Sequence, residues 1–133
     1  MKQRIALISL LVSDYDDAIH FYTDKLNFTL SEDTQLTETK RWVVVTPQGS
    51  EGCSLLLAQA SDNEQRSFIG NQTGGRVFLF LYTDNLDRDY MNLLKNEVKI
   101  IREPSNEPYG KVLVFADLYG NQWDMIEPIE STK

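Results

Sequence analysis

Hydrophobic positions along the first half of the chain predict one strand, one helix and three further strands. An unbroken apolar run at 5–12 predicts a strand that is covered on both faces. The spacing of the apolar residues that follow predicts an amphipathic helix of about three turns: Ala18, Ile19, Phe21, Tyr22 and Leu26. Apolar and β-branched residues between turn signals then predict strands at 28–37, 41–47 and 53–59.

The same order of patterns returns about 70 residues later. A strand at 76–83 and a helix at 86–96 precede strands at 98–103, 111–117 and 122–127. Ser13-Asp14 and Thr83-Asp84 supply helix-capping chemistry at matching places. In the second helix we expect four residues to face inward: Leu86, Tyr90, Leu93 and Leu94.

This repetition predicts an α+β fold of two tandem βαβββ modules within a single domain of residues 1–133. The first module is expected at 1–60 and the second at 76–128. The linker at 61–75 is expected to contain a short helix that a glycine-rich turn ends.

Composition narrows the function classes. A chain of 133 residues with 41% hydrophobic residues is sufficient for one core. A net charge of −7 argues against nucleic-acid partners, because few cations remain to neutralise phosphates. The N-terminal apolar run is too short to span a membrane and has no cleavage site after it, and Cys53 is the single cysteine. We therefore expect no membrane association and a cytoplasmic location.

Two segments, VSDYDDAIHFYTDKLNF near the start and FADLYGNQWDMIEP near the end, together with the βαβββ order, resemble the vicinal oxygen chelate superfamily. That superfamily includes glyoxalase I, extradiol dioxygenases and bleomycin-resistance proteins. The chain is most similar to small bacterial glyoxalase-like proteins of unassigned activity. The resemblance covers essentially the whole chain. It implies that the modules form a cupped mixed sheet, which holds one divalent ion in the metal-dependent members.

The resemblance also implies where the metal ligands would lie. Leu7, Phe78, one of Leu55–Leu57, and Asp124 occupy the family's four ligand positions. Leucine and phenylalanine cannot coordinate a metal, and a single carboxylate is too few for a stable site. The one histidine, His20, is expected to face solvent on the first helix. We therefore predict no metal and no cofactor, and we assign no catalytic residue.

The resemblance implies that the ligand positions point into the cup, and alternation along the strands then predicts which other side chains line it in place of a metal. Leu7 and Ser9 share one face of their strand, as do Phe78, Phe80 and Tyr82 of theirs. Including two candidates from the third strand and the mouth of the cup, the predicted lining is Leu7, Ser9, Trp42, Phe78, Phe80, Tyr82, Tyr109, Asp124 and Ile126. Asp124 would then be the relic of a metal ligand and would anchor a donor or cationic group of a ligand.

Three functions fit this sequence. The first is binding of a small aromatic or cationic molecule in an apolar cup, without chemistry. The second is a glyoxalase-type lyase or isomerase, with Asp124 as a general base and Tyr82 as a donor. The third is a structural module with a closed core. We also predict a homodimer, because partner chains close the cups in this family, with the linker and the 103–111 loop near the interface.

Overall fold

The computed structural model describes residues 1–129 and contains two compact units, the first of which ends at Ile69 and the second of which begins at Gly70. The first unit contains, in order, β1 (Leu7–Val12), α1 (Tyr15–His20), β2 (Thr29–Gln35), β3 (Arg41–Thr46), β4 (Ser54–Gln59) and α2 (Asn63–Ser67). The second contains β5 (Leu79–Tyr82), α3 (Leu86–Lys95), β6 (Ile100–Glu107), β7 (Gly110–Ala116) and β8 (Gln122–Pro128). The two predicted βαβββ modules are confirmed, with α2 in the predicted linker.

The first unit holds a four-stranded mixed sheet in the order β1-β4-β3-β2, with β1 parallel to β4. One face of this sheet is its core side, where these residues are buried: Leu10, Val12, Val43, Val45, Leu55 and Leu57. Helix α1 contacts β3 and β4 and buries Tyr15 and Ala18. The Asp14 side chain accepts a hydrogen bond from the Asp17 amide at 2.8 Å, which confirms the predicted cap.

The first helix differs from the predicted uninterrupted three turns. After His20 the chain forms a π-helical turn at Phe21–Lys25. Thr23 Oγ1 donates to the Ile19 carbonyl at 2.7 Å, a contact that disturbs the regular helical ladder. The turn buries both Phe21 and Tyr22, whose rings meet edge to face at 5.2 Å, and the left-handed Asn27 ends it. The wider turn thus keeps two adjacent aromatic side chains in the core.

The edge strand β2 is exposed along its length and pairs with β3, and Arg41 of β3 adds side-chain bonds to it. The guanidinium of Arg41 makes two bonds to Asp33, at 3.1 and 2.7 Å, and one to Asp16 at 2.9 Å. It also lies 5.1 Å from the centre of the Tyr15 ring. Arg41 therefore joins α1 to the β2–β3 hairpin.

The second unit repeats the arrangement, in the order β5-β8-β7-β6, with β5 parallel to β8. Its core contains Phe115 stacked on Trp123, with ring centres 6.0 Å apart and planes 8° apart. Leu86 and Leu93 of α3 are buried. Leu94 is 45% exposed, so its predicted inward position is wrong.

The N-terminus of α3 also differs from the prediction. Asn85, rather than Thr83-Asp84, is the cap, and its side chain accepts from the Arg88 amide at 3.0 Å. Glu127 of β8 accepts from the Leu86 amide at 2.8 Å and so satisfies a second free donor of the first turn. Thr83 bonds instead to the side chain of Asp89.

No helix within residues 1–129 is long and apolar enough to cross a membrane.

The contrast between Phe115 and Phe80 predicts two different losses of stability. Phe115 is fully buried, so Phe115→Ala should lower the free energy of unfolding by about 3–5 kcal/mol. Phe80 is 62% exposed, so Phe80→Ala should cost less than about 1 kcal/mol. Urea denaturation of both variants and the wild type measures the two losses. Equal losses would mean that Phe80 is packed as tightly as Phe115.

Candidate functional site

The candidate site lies on the face of the second sheet that points away from Phe115 and Trp123. Strand register sets two rows of side chains across this face. One row is Arg102, Val114, Asp124 and Phe80, and the next is Ser105, Val112, Ile126 and Tyr82. We call this surface the Asp124 face. Four residues of the predicted lining therefore lie together on this face: Phe80, Tyr82, Asp124 and Ile126.

The two aromatic side chains of this face are exposed. Phe80 is 62% and Tyr82 is 69% exposed, whereas their apolar neighbours Val112, Val114 and Ile126 are buried. Large aromatic rings are usually covered in a folded chain, and adjacent exposed ones are typical of a binding surface. The face therefore combines a buried aliphatic floor with accessible rings at one edge.

Asp124 is a partly desolvated carboxylate in the middle of the sheet. Its Oδ1 atom is buried and has no hydrogen-bond partner within residues 1–129. Burial raises the pKa of Asp124 above its ordinary value, and the positive charge of Arg102 opposes that rise. A buried acceptor without a partner costs free energy, so a ligand that donates to Oδ1 would regain it.

Arg102 was not among the residues predicted from the sequence. Register shifts flank it on both sides, between Ile100 and Arg102 and between Arg102 and Ser105. The first shift pairs Ile100 with Phe115 and Arg102 with Val114, so that two residues normally on one face lie on opposite faces. Simple alternation from Ile100 would therefore place Arg102 on the wrong side of the sheet.

A groove of about 910 Å³ opens at the carboxyl ends of β5 and β8. Its walls include Tyr82, Lys111, Glu127 and Ile129. Glu127 is engaged by the Leu86 amide, and Lys111 lies 3.4 Å from Asp87. Tyr82 belongs both to the groove and to the Asp124 face, so the groove adjoins that face at Tyr82, and its volume suits a drug-sized molecule.

The first sheet carries the matching row with different chemistry. Its members are Glu32, Val44, Leu56 and Ser9, in the places of Arg102, Val114, Asp124 and Phe80. Leu7 and Ser9 are exposed on this face and Trp42 is half-buried. These three predicted lining residues therefore share a face of the first sheet, as alternation predicts.

Phe78 and Tyr109 lie outside the regular strands. Phe78 precedes β5, and its ring meets that of Trp123 edge to face at 6.0 Å. Tyr109 lies in the turn between β6 and β7 and is 57% exposed, and its carbonyl accepts from the Ile129 amide at 3.3 Å. Their role in binding stays a prediction.

The side chains present do not fit a divalent metal. Leu56 occupies the position in the first sheet that Asp124 occupies in the second. Leu56 is therefore the member of the Leu55–Leu57 triplet that matches Asp124. Within residues 1–129 no cluster of three or more histidine, cysteine, aspartate or glutamate side chains could hold a metal ion. His20 is exposed and pairs with Asp24 at 2.5 Å. One carboxylate among leucine, valine and phenylalanine is too weak a donor set.

Known proteins of similar sequence and structure agree with this architecture. A protein of Shewanella frigidimarina (strain NCIMB 400) is 58% identical over 128 residues, which cover 96% of this chain and 95% of that protein. The crystal structure of UcmS2 is 26% identical, has a TM-score of 0.83, and covers 96% of this chain and 99% of its own. TnmS3, an antibiotic binding protein from Streptomyces sp. CB03234, is 30% identical with a TM-score of 0.78, and covers 96% and 98%.

These matches define a small protein of tandem βαβββ architecture. The model of the Glyoxalase/Bleomycin resistance protein/Dioxygenase superfamily matches residues 4–125, and the chain belongs to that superfamily. The predicted resemblance and the predicted fold are both confirmed.

The raised pKa of Asp124 predicts how one variant changes stability with pH. At about pH 7 the desolvated charge destabilises the folded state, so Asp124→Asn should stabilise the protein by about 1 kcal/mol or less. The gain should disappear as the pH falls through the folded pKa and below the unfolded value of about 3.9, since the wild-type carboxyl is then neutral in both states. Denaturation at several pH values measures this difference.

Glu38→Gln is the matched control, because it removes one negative charge from an exposed loop. It should show no such pH-dependent gain. A destabilised Asp124→Asn at neutral pH would show that the charge of Asp124 is satisfied in the folded protein.

Proposed function

We propose that this protein binds a bulky aromatic, cationic small molecule on the Asp124 face and does not transform it. The observation that carries the proposal is the juxtaposition of two exposed rings, Phe80 and Tyr82, with the unpartnered Oδ1 of Asp124. Exposed rings give a stacking surface, and the carboxylate gives a charge-assisted contact to a donor.

Electrostatics supports a cationic rather than an anionic ligand. The chain carries a formal net charge of −7, which attracts cations over long range. At short range, a positive group beside Asp124 would offset the cost of its partial desolvation. A neutral aromatic molecule would gain the stacking contacts alone.

One similar structure supports the class of ligand. TnmS3 is an antibiotic binding protein, and its 30% identity extends over nearly the whole of both chains. Antibiotics of natural origin are often large and ring-rich, and the groove next to Tyr82 has room for such a molecule.

We further propose that the protein acts as a cytoplasmic homodimer. Phe80 and Tyr82 are more exposed than such side chains usually are in a finished binding site, so a partner chain would complete the enclosure. The exposed Phe68, which directly follows α2, is a candidate contact between partners.

The second candidate function is acid–base catalysis of the lyase or isomerase type. The raised pKa of Asp124 favours it, because a general base with a pKa nearer neutrality accepts protons more effectively. Tyr82, two strand positions from the Asp124 row, would be the donor. Stoichiometric nickel or zinc binding by metal-free protein, lost in Asp124→Asn, would favour a glyoxalase-type enzyme over the binding protein.

The closed-core alternative is the least supported of the three. A closed core would cover Phe80, which is instead 62% exposed. The edge of the proposed ligand face that carries Phe80 and Tyr82 is therefore accessible in the single chain.

Calorimetric titration with ethidium, a flat aromatic cation, tests the binding proposal. We expect a saturable site in the wild type and binding about two- to tenfold weaker in Tyr82→Ala, since an aromatic contact contributes about 0.5–1.5 kcal/mol. Met91→Ala is the control, because Met91 is 63% exposed on α3 and lies outside the site. Absence of ethidium binding, or equal affinity in Tyr82→Ala, would refute the proposal.

Sedimentation at micromolar concentration tests the dimer. We expect a dimer that dissociates more readily in Phe68→Glu, because a charge would replace an apolar contact. Met91→Glu places the same charge on α3 and should leave the dimer intact. A monomeric wild type would contradict this part of the proposal and confine the site to one chain.

A further inference from the structure

The Asp124 face carries two opposite charges that do not pair with each other. Asp124 and Arg102 belong to one row of side chains with Val114 between them. The ion pairs of residues 1–129 join other side chains and do not include Arg102. Strand register places both groups on the same face of the sheet, and the positive charge of Arg102 opposes the rise in the pKa of Asp124.

Strand spacing fixes the separation of these charges. Neighbouring strands lie about 4.8 Å apart, so the backbones at Arg102 and Asp124, two strands apart, are separated by about 10 Å. Val114 lies between them and is buried, which gives an apolar floor and no competing polar group. A direct salt bridge would have to cross this floor.

Both charged groups have unused bonding capacity. Oδ1 of Asp124 has no hydrogen-bond partner, and the Arg102 side chain is exposed at the sheet edge. Guanidinium groups bind carboxylates through two parallel hydrogen bonds. The row thus offers, in order, an anion receptor, an apolar spacer, an anion and the Phe80 ring.

Resting on the function proposed above, we propose that the Asp124 face selects zwitterionic aromatic ligands, whose cationic ring system lies against Asp124 and Phe80 and whose carboxylate binds Arg102. The two register shifts around Arg102 support this role, because bulges on edge strands redirect single side chains toward sites. A ligand with a cation alone would leave Arg102 unmatched. A purely anionic ligand would meet the charge of Asp124.

Two matched dyes test this selectivity by fluorescence polarisation. Rhodamine B combines a cationic xanthene ring system with a carboxylate, and its ethyl ester lacks the negative charge but keeps the cation. At neutral pH we expect wild-type protein to bind rhodamine B three- to tenfold more tightly than the ester. Arg102→Met should abolish this preference, because the carboxylate loses its partner.

Two further variants separate the roles of the charges. Lys95→Met removes one exposed cation from α3 of the same unit and should keep the preference for rhodamine B. Asp124→Asn should weaken the binding of both dyes to a similar extent, since both carry the cation. The preference for rhodamine B over its ester should stay unchanged.

The outcomes distinguish this inference from the function on which it rests. Equal affinity for the two dyes, or a preference that survives Arg102→Met, overturns the zwitterion proposal and leaves a cation-binding site. If neither dye binds while ethidium binds, the zwitterion proposal is likewise overturned and a cation-binding site is left. Failure of all three compounds overturns the proposed function as well.

Discussion

The parallel pairing of the first and last strands of each module is the constraint on which the rest of the structure depends. Parallel neighbours cannot be joined by a tight turn, so the chain must cross one face of the sheet between them. In the second module that crossover includes α3, which contacts β8 and buries Leu86 and Leu93. The pairing also sets Phe80 beside Asp124 and Tyr82 beside Ile126. One hydrogen-bond ladder thus determines both which face receives a helix and which side chains meet on the other.

The two modules place different side chains at matching positions of this framework. In the first, the central row holds Leu56 and Ser9, and the residues of the opposite face form an aliphatic core. In the second, the same places hold Asp124 and Phe80. Each sheet has its own core. The free-energy cost of partly burying the Asp124 carboxylate in one module therefore does not require a buried charge at the matching position of the other. The repeated fold therefore carries a carboxylate and an aromatic ring at positions of the second module where the first module has Leu56 and Ser9.

Much of this arrangement could be predicted from the sequence, for physical reasons that differ between elements. The β5 and β8 patterns are regular, and their ladder has no register shift, so alternation correctly placed Phe80 on one face with Tyr82 and Asp124 on one face with Ile126. Alternation does not hold in β6, where one extra residue between Ile100 and Arg102 moves Arg102 to the opposite face. The cap of α3 was misplaced by one residue, because Asp84 and Asn85 are both good caps and only the backbone turn decides between them. Alternation thus predicts the face of a side chain reliably where strand pairing is uninterrupted. It is unreliable where an edge strand contains an extra residue.

The irregular edge of the second sheet has a consequence for how such proteins diverge. Strand β6 has one neighbour, so an additional residue there disturbs a single ladder, and Pro104 is tolerated close to the second shift. Each change of one residue in the length of this strand reassigns the side chains beyond it to the other surface of the sheet. Insertions and deletions in a strand of this kind therefore exchange whole sets of contacts at once. Evolution can in this way alter recognition without replacing any residue of the central strands.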